Sequence, residues 1–322
     1  MKKTILALAA FSAASAFAAD SVTIYGVADS WFGQTKAGAA PTQTVVQSGG
    51  LSTSRLGFSI KEDLGDGLGA FAVIEDQINL DNGTKGATGR KYVVGLSGDF
   101  GSVSLGRQAT PFEDFYTKSF YTMDSAFEGM KQGGRAAGYT HTARIDNGVR
   151  YDSPNFDGFT ASVHLGLGED KAATVRARQT WSLSARYSNG PLIIGLAHQK
   201  DDAQVLPVTI NRTTNTVIAG SYDFGVAKVN LGYNMAKKSN VAPKENSYNL
   251  GVLVPAGAFS FLAQVGQSKV SNGGAKTNSF GLEGRYALSK RTTVYAGAGQ
   301  SKISGAANPN IRNIGLGIRH TF

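Results

Sequence analysis

The chain closes on "IGLGIRHTF", Ile314–Phe322. Taken by twos, Ile314, Leu316, Ile318, His320 and Phe322 fall on one side, and Asn313, Gly315, Gly317, Arg319 and Thr321 on the other. This is the period of an extended strand, not of a helix. One face is mostly apolar and the other small or polar. In a soluble sheet the apolar face packs on a core; in a membrane barrel it faces lipid, and the polar face lines an aqueous interior.

The alternation recurs outward from this stretch. Leu56, Phe58 and Ile60 oppose Arg55, Gly57 and Ser59; Trp181, Leu183, Ala185 and Tyr187 oppose Thr180, Ser182, Ser184 and Arg186. It predicts sixteen strands, near 21–32, 50–62, 68–80, 89–98, 101–108, 147–153, 159–168, 178–188, 192–201, 214–222, 226–236, 246–254, 258–270, 277–287, 292–302 and 312–322. Short connections with turn residues, such as 63–69, alternate with long polar ones such as 33–49 and 237–245. Strands of about ten residues with short turns at one rim and long loops at the other describe an outer-membrane barrel. Hydrocarbon offers no partner to a free N–H or C=O, so such a sheet must close. Closure pairs the strand from Ser21 with the one ending at Phe322, whose ring then sits at the membrane boundary. Phe100, Tyr151, Phe156, Phe159, Tyr187, Tyr222, Phe224 and Tyr286 collect at strand ends beside short turns, as a girdle requires. The fold class expected is therefore all-β, a sixteen-stranded antiparallel transmembrane β-barrel.

The N-terminus reads differently. Lys2 and Lys3, an apolar run and Ala16-Phe17-Ala18 make a secretory signal peptide over 1–18, cut after Ala18 or Ala19, which leaves one barrel domain over 19–322. The apolar part is too short for a retained spanning helix. There is no cysteine, so neither disulfides nor thiolate chemistry enter. The balance is basic, +9 over the whole chain. Export makes nucleic acid an unsuitable partner for it. The 41 glycines without a collagen period suit strands and tight turns.

Several ordered motifs resemble the general porins of β-proteobacteria, of the Burkholderia, Bordetella and Neisseria type. They are "SVTIYGVAD" (21–29), "SRLGFSIKEDLGDGLGAFAVIE" (54–75), "GLSGDFGSVSLGRQ" (95–108), "NGVRYDSPNFDGF" (147–159) and the closing Phe322. The resemblance implies a trimeric, water-filled channel whose third outer loop folds into the barrel. It also makes Phe322 the signal read by the barrel-assembly machinery. Outer-membrane lipid and lipopolysaccharide are the surroundings it implies.

The connection 109–146 is that third loop, and its length needs a functional reason. It carries the acids Glu113, Asp114, Asp124, Glu128 and Asp146, and the bases Lys118, Lys131, Arg135 and Arg144. Its aromatics Phe112, Phe115, Tyr116, Phe120 and Tyr121 would be wetted in an outward loop. On the wall, parity turns inward the bases Arg55, Lys61, Lys91, Arg150, Arg186, Lys228, Arg285 and Arg319, against the acids Asp29, Glu75, Asp152 and Glu283. Arg55 and Arg150 occupy the motifs that in the resembled family place arginines at the constriction. Arg107 leads into the loop and is a further candidate. Arg90 is another, although its parity with Tyr92 and Val94 points it outward. A charged ring at a narrow waist selects by sign, so the basic excess predicts weak to moderate anion preference.

No catalytic, metal or cofactor set emerges. Asp99–Gly101 and Asp223–Gly225 read "DFG" but sit at short turns without a catalytic loop. His141, His164, His198 and His320 lack metal spacing. The expected function is passive diffusion of ions and small hydrophilic solutes. A substrate-specific channel and a structural or adhesive barrel stay open as alternatives.

Overall fold

The computed structural model describes residues 21–129, 140–169, 171, 177, 179–205, 209–239, 243–304 and 310–322. The expected leader, Lys131 and Arg135 lie outside the described residues. Seventeen strand segments, from β1 (Ser21–Ala37), β2 (Gln43–Ser48), β3 (Arg55–Gly65) and β4 (Leu68–Gln77) to β17 (Asn310–Thr321), form a single antiparallel sheet. The sheet closes. Val27–Ala37 of β1 pair with Thr321–Ile311 of β17, and Gly26 and Phe322 exchange backbone bonds of 3.0 and 3.2 Å. The Phe322 ring covers Gly26, where any Cβ would meet it at 2.4 Å. Only glycine leaves room for the terminal aromatic there.

Seventeen segments occupy sixteen positions around the barrel, because β2 and β3 both pair with β1, one above the other. The expected strand over 50–62 thus starts only at Arg55, and part of the expected loop 33–49 is strand. The cause is Asp29, which is fully buried. Its carboxylate accepts from the backbone N–H of Gly50 at 3.0 Å, Leu51 at 2.8 Å and Ser52 at 2.7 Å, and from the Tyr295 hydroxyl. Those N–H groups are drawn from the ladder, and 49–54 turn into the barrel as a short inner loop. Asp29→Ala would leave them without an acceptor, at about 1–3 kcal/mol for each buried group. A loss of at least about 3 kcal/mol is expected, read as a lower urea midpoint from the fluorescence of the nearby Trp31. An unchanged midpoint would contradict this role.

The other strands follow the sequence reading within a few residues: β5 (Lys91–Gly98), β6 (Gly101–Ala109), β7 (Arg144–Asp152), β8 (Phe159–Gly166), β9 (Thr180–Asn189), β10 (Leu192–Val205), β11 (Thr209–Asp223), β12 (Lys228–Lys238), β13 (Lys244–Ala256), β14 (Phe259–Val270), β15 (Lys276–Ala287) and β16 (Thr292–Ile303). At the short-turn rim, Asp66 and Gly67 join β3 to β4 with φ of 51° and 76°. A two-residue hairpin matching the strand twist demands such values at both positions. The apolar parity faces outward: Leu316 is 59% exposed, Leu282 55% and Ile218 52%. So continuous an apolar belt is what a lipid-facing wall presents, not a soluble monomer.

Opposite Arg107 of β6, β7 carries a bulge at Asp146 and Asn147, the latter with φ of 50°, and beyond β6 the chain enters α1 (Pro111–Phe115). Thr110 caps α1, its Oγ1 accepting from Glu113 N at 3.0 Å, and Pro111 stands where no N–H is needed. A π turn, Tyr116–Phe120, follows. From there the loop passes the inner wall strand by strand. The Ser182 hydroxyl on β9 accepts from Phe112 N at 2.9 Å; Asn230 on β12 and Asn249 on β13 donate to the carbonyls of Ser119 and Phe120. Gln264 on β14 accepts from Thr122 N at 2.8 Å and Met123 N at 3.1 Å, and Asn313 on β17 donates to Ala126 O at 2.8 Å. Ala126 N then reaches Gly50 O of the inner loop at 2.7 Å. Glycines at 195, 232, 281 and 297 leave flat wall for Phe115, Phe120, Met123 and Phe127. Among the described residues the loop makes the two larger buried apolar clusters: Phe112, Phe115, Tyr116, Phe120 and Tyr121 against Ala197, Val217 and Ala219, and Phe127 against Trp31 and Tyr295.

Candidate channel constriction

Among the described residues the loop follows the lumen side of β9 to β17, and its start is held against β7 by Arg150; the wall charges that face it lie on or beside β3 to β7. Glu75 lies at the centre of one charge group there. Arg90 Nε stands 2.7 Å from its Oε1, Arg55 Nε 3.5 Å from its Oε2, and the Tyr25 hydroxyl donates to Oε2 at 3.0 Å. One carboxylate therefore serves two guanidinium groups. A cavity of about 380 Å³ joins Arg55 and Arg90 to Asp124 and Ser125 of the loop and to Ser52 and Thr53 of the inner loop. Cations on the wall thus face loop three across water-sized space.

The second group surrounds Arg150. Its guanidinium donates to both oxygens of Asp152, at 2.8–3.1 Å, and to Asp114 of α1 at 2.7 Å. It also donates to Ala109 O at 2.9 Å, so it fastens the start of the loop to β7. Ser162 Oγ holds Asp152 in turn at 2.6 Å. Lys91, paired across the ladder with Glu75, adds its charge beside Arg150, Asp114 and Asp152. Lys118 approaches the free side of Asp114 at 3.7 Å.

Not every candidate from the sequence joins these groups. Arg90 departs from its parity reading. β5 begins only at Lys91, so Arg90 stands in the preceding bend, free of strand alternation, and reaches Glu75. Arg107 keeps strand parity, sitting opposite the exposed Tyr92. Its side chain binds Asp146, the Gly89 carbonyl at 2.6 Å and Thr88 Oγ1 at 3.0 Å, away from Arg55 and Arg150. Arg144 donates to Arg90 O at 3.1 Å. Glu128 is buried and accepts from Gln264, while Glu113 meets His141 at 2.7 Å; neither presents a bare charge to the pore. Glu283 is buried beside Arg285. Arg319 lies opposite Asp29 in the ladder and close enough to Arg55 to repel it. Lys61, Arg186 and Lys228 share the inward parity nearer the short-turn rim.

Several residues that build this region gave no sign in the sequence. Tyr25 and His141 act through partners 50 and 28 residues away. The amides Asn230, Asn249, Gln264 and Asn313 read only as polar inward positions. The one usable signal was their recurrence on the polar face of strands whose other inward residues are glycine and serine.

Comparison with known proteins places this geometry. The family model of the Gram-negative porins matches residues 4–306. Outer membrane porin protein 32 of Delftia acidovorans is 31% identical, with 100% of both chains covered. An outer membrane porin protein of Bordetella pertussis is 29% identical over the same full coverage. Among solved structures, an anion-selective porin from Comamonas acidovorans superposes with a TM-score of 0.85 at 28% identity, covering 94% of this chain and 100% of that one.

Proposed function

The chain belongs to the Gram-negative porin family and forms an outer-membrane channel, and we propose that this channel passes small hydrophilic solutes with a weak to moderate preference for anions. The observation that carries the preference is Glu75, a single carboxylate shared by Arg55 and Arg90. Arg150 is closer to balance, with Asp114 and Asp152 on it, and Lys91 is the added charge. The wall so retains a positive surplus opposite the loop. The anion-selective relative from Comamonas supports the same sign. A unit charge at 4 Å acts with about 1 kcal/mol in bulk water and about 4 kcal/mol at an effective dielectric near 20. Pore water lies between, so a several-fold excess of anion over cation passage is expected. The reversal potential of reconstituted channels in a KCl gradient near 0.1 M tests this, since screening there acts over about 10 Å. A clear cation preference would refute it.

In this reading 109–146 is the constriction loop, with Asp114, Lys118 and Asp124 facing the wall and Arg144 at its return. The finer assignments follow the family. The channel is a homotrimer, Phe322 is presented to the barrel-assembly machinery, and lipopolysaccharide surrounds the outer rim. Residues 1–18 act as a cleaved leader.

A further inference from the structure

Asp29 sits in the channel wall where no permeating ion can touch it, because it is fully buried. Each of its carboxylate oxygens accepts two bonds, Oδ1 from Gly50 N and the Tyr295 hydroxyl, Oδ2 from Leu51 N and Ser52 N. Its backbone closes both ends of the same inner loop, 49–54. Asp29 O accepts from Gly49 N at 2.7 Å, and the Ser54 hydroxyl donates to Asp29 O at 2.8 Å while accepting from Asp29 N at 3.0 Å. Gly49 to Ser52 and Ser54 thus all hang on this one residue.

The inner loop in turn holds two parts of the constriction. Thr53 O accepts from Arg55 Nη1 at 3.0 Å, whereas Glu75 stands off at 3.5 Å, longer than a good hydrogen bond. The place of the Arg55 guanidinium is therefore set by that carbonyl more than by the carboxylate. Gly50 O accepts from Ala126 N of loop three at 2.7 Å, and Leu51 packs with Phe127 of the same loop, against Trp31 and Tyr295. Ser52 and Thr53 line the cavity of about 380 Å³ that Arg55, Arg90 and Asp124 also border. The wall arginine hangs from one carbonyl of the inner loop, and loop three from another.

We propose that Asp29 is a positioning residue for ion selectivity: by pinning the inner loop it fixes Arg55 against loop three, and with it the field that a permeating anion crosses. The inference rests on the anion-preferring reading of the channel and adds to it a residue that acts without meeting the ion. The sign of the effect separates this role from that of a plain wall charge. Asp29 faces Arg319 across the ladder. Taking a negative charge off a channel wall by itself favours anions. Asp29→Asn should do the reverse. The new amide N–H group confronts backbone N–H donors, which cannot all find an acceptor, and the inner loop comes off its clasp. Arg55 then loses the Thr53 carbonyl and closes on Glu75, and loop three loses its bond to Gly50.

The test measures the chloride-to-potassium permeability ratio of the reconstituted channel in a KCl gradient, for wild type, Asp29→Asn, Arg55→Gln and the double variant. Asp29→Asn is expected to lower the ratio at least about threefold, since moving a unit charge from about 4 to about 8 Å halves its action. In the Arg55→Gln background the same change should move the ratio far less, as residues acting through one another do. A ratio unchanged or raised by Asp29→Asn overturns the proposal, and so does an equal shift in both backgrounds. The chain has no cysteine, so Ser52→Cys reports on the inner loop alone. The Ser52 hydroxyl is enclosed, without a hydrogen-bond partner among the described residues. A thiol there should react slowly with a small methanethiosulfonate, and at least about tenfold faster once Asp29→Asn opens the loop. An unchanged labelling rate overturns the positioning role whatever the ion ratio. If Asp29→Asn fails to fold, Tyr295→Phe replaces it in both measurements. It removes one of the four bonds to the carboxylate at no change of charge, and a smaller fall in the ratio is expected, its absence again overturning the proposal. A wild-type channel without anion preference sinks the anion reading and this proposal with it; one that prefers anions, and still does so undiminished after Asp29→Asn, sinks the proposal alone.

Discussion

Replacing Arg55 and Arg90 together by glutamate should turn the channel from anion-preferring to cation-preferring in a KCl gradient. Both arginines border the cavity that Asp124 enters from the loop, and both lean on Glu75. After the double change the charged side chains that line that cavity are all carboxylates, Asp124 and the two new ones, and Glu75 stays beside them. Each charge acts with about 1–4 kcal/mol on an ion 4 Å away, depending on the effective dielectric. A swing of tenfold or more in the chloride-to-potassium permeability ratio is therefore expected, since about 1.4 kcal/mol already gives tenfold. The reciprocal change, Glu75→Gln, removes the shared carboxylate and should raise anion preference a few-fold at 0.1 M salt, with the gain shrinking at 1 M as screening shortens to about 3 Å. Permeability ratios that stay fixed in both variants would show that ions are sorted elsewhere in the pore.

The second large effect concerns the path of loop three. At Gly299 on β16, a Cβ would fall 2.0 Å from the carbonyl oxygen of Phe127 and 3.1 Å from its Cα. Backbone atoms cannot swing aside as a side-chain tip can, so Gly299→Val must push the loop off the wall. The bonds at stake are Asn313 to Ala126 O at 2.8 Å, Ala126 N to Gly50 O at 2.7 Å, and Ser301 to Gly129 O. Overpacking of this kind costs about 1–3 kcal/mol, enough to raise the population of an undocked loop roughly tenfold. Single-channel records should then show excess open-channel noise and brief closures, with lower mean conductance, because a loop displaced from the wall moves toward the pore axis. A quiet trace of normal amplitude would mean that the loop does not depend on this contact.

Parts of the molecule are legible in the sequence itself. The alternation at Leu56, Phe58 and Ile60 is enough to say which side of β3 meets lipid, since that sorting needs only the period of a strand. Phe322 was legible for the same reason. The Arg90 position was not. Its face depended on whether the strand started at residue 90 or 91, and no periodic signal reports a boundary that finely. The split of β2 from β3 was hidden as well. It follows from Asp29, which captures N–H groups more than twenty residues away. An inward aspartate between Ala28 and Ser30 reads like any other lumen charge. Asn230 and Gln264 likewise look like hydration of the pore until the loop is seen lying on them.

The sequence alone determined the barrel: sixteen ring positions, their lipid and water faces, and the meeting of the first and last strands, because a bilayer forces both period and closure on the backbone. Only the tertiary structure decided which charges become neighbours. Glu75 between Arg55 and Arg90, or Arg150 on Asp114, are set by where loop three leaves β6 and by which distant amides and glycines receive it. Coulomb interaction depends on those few ångströms, and no spacing along the chain encodes them.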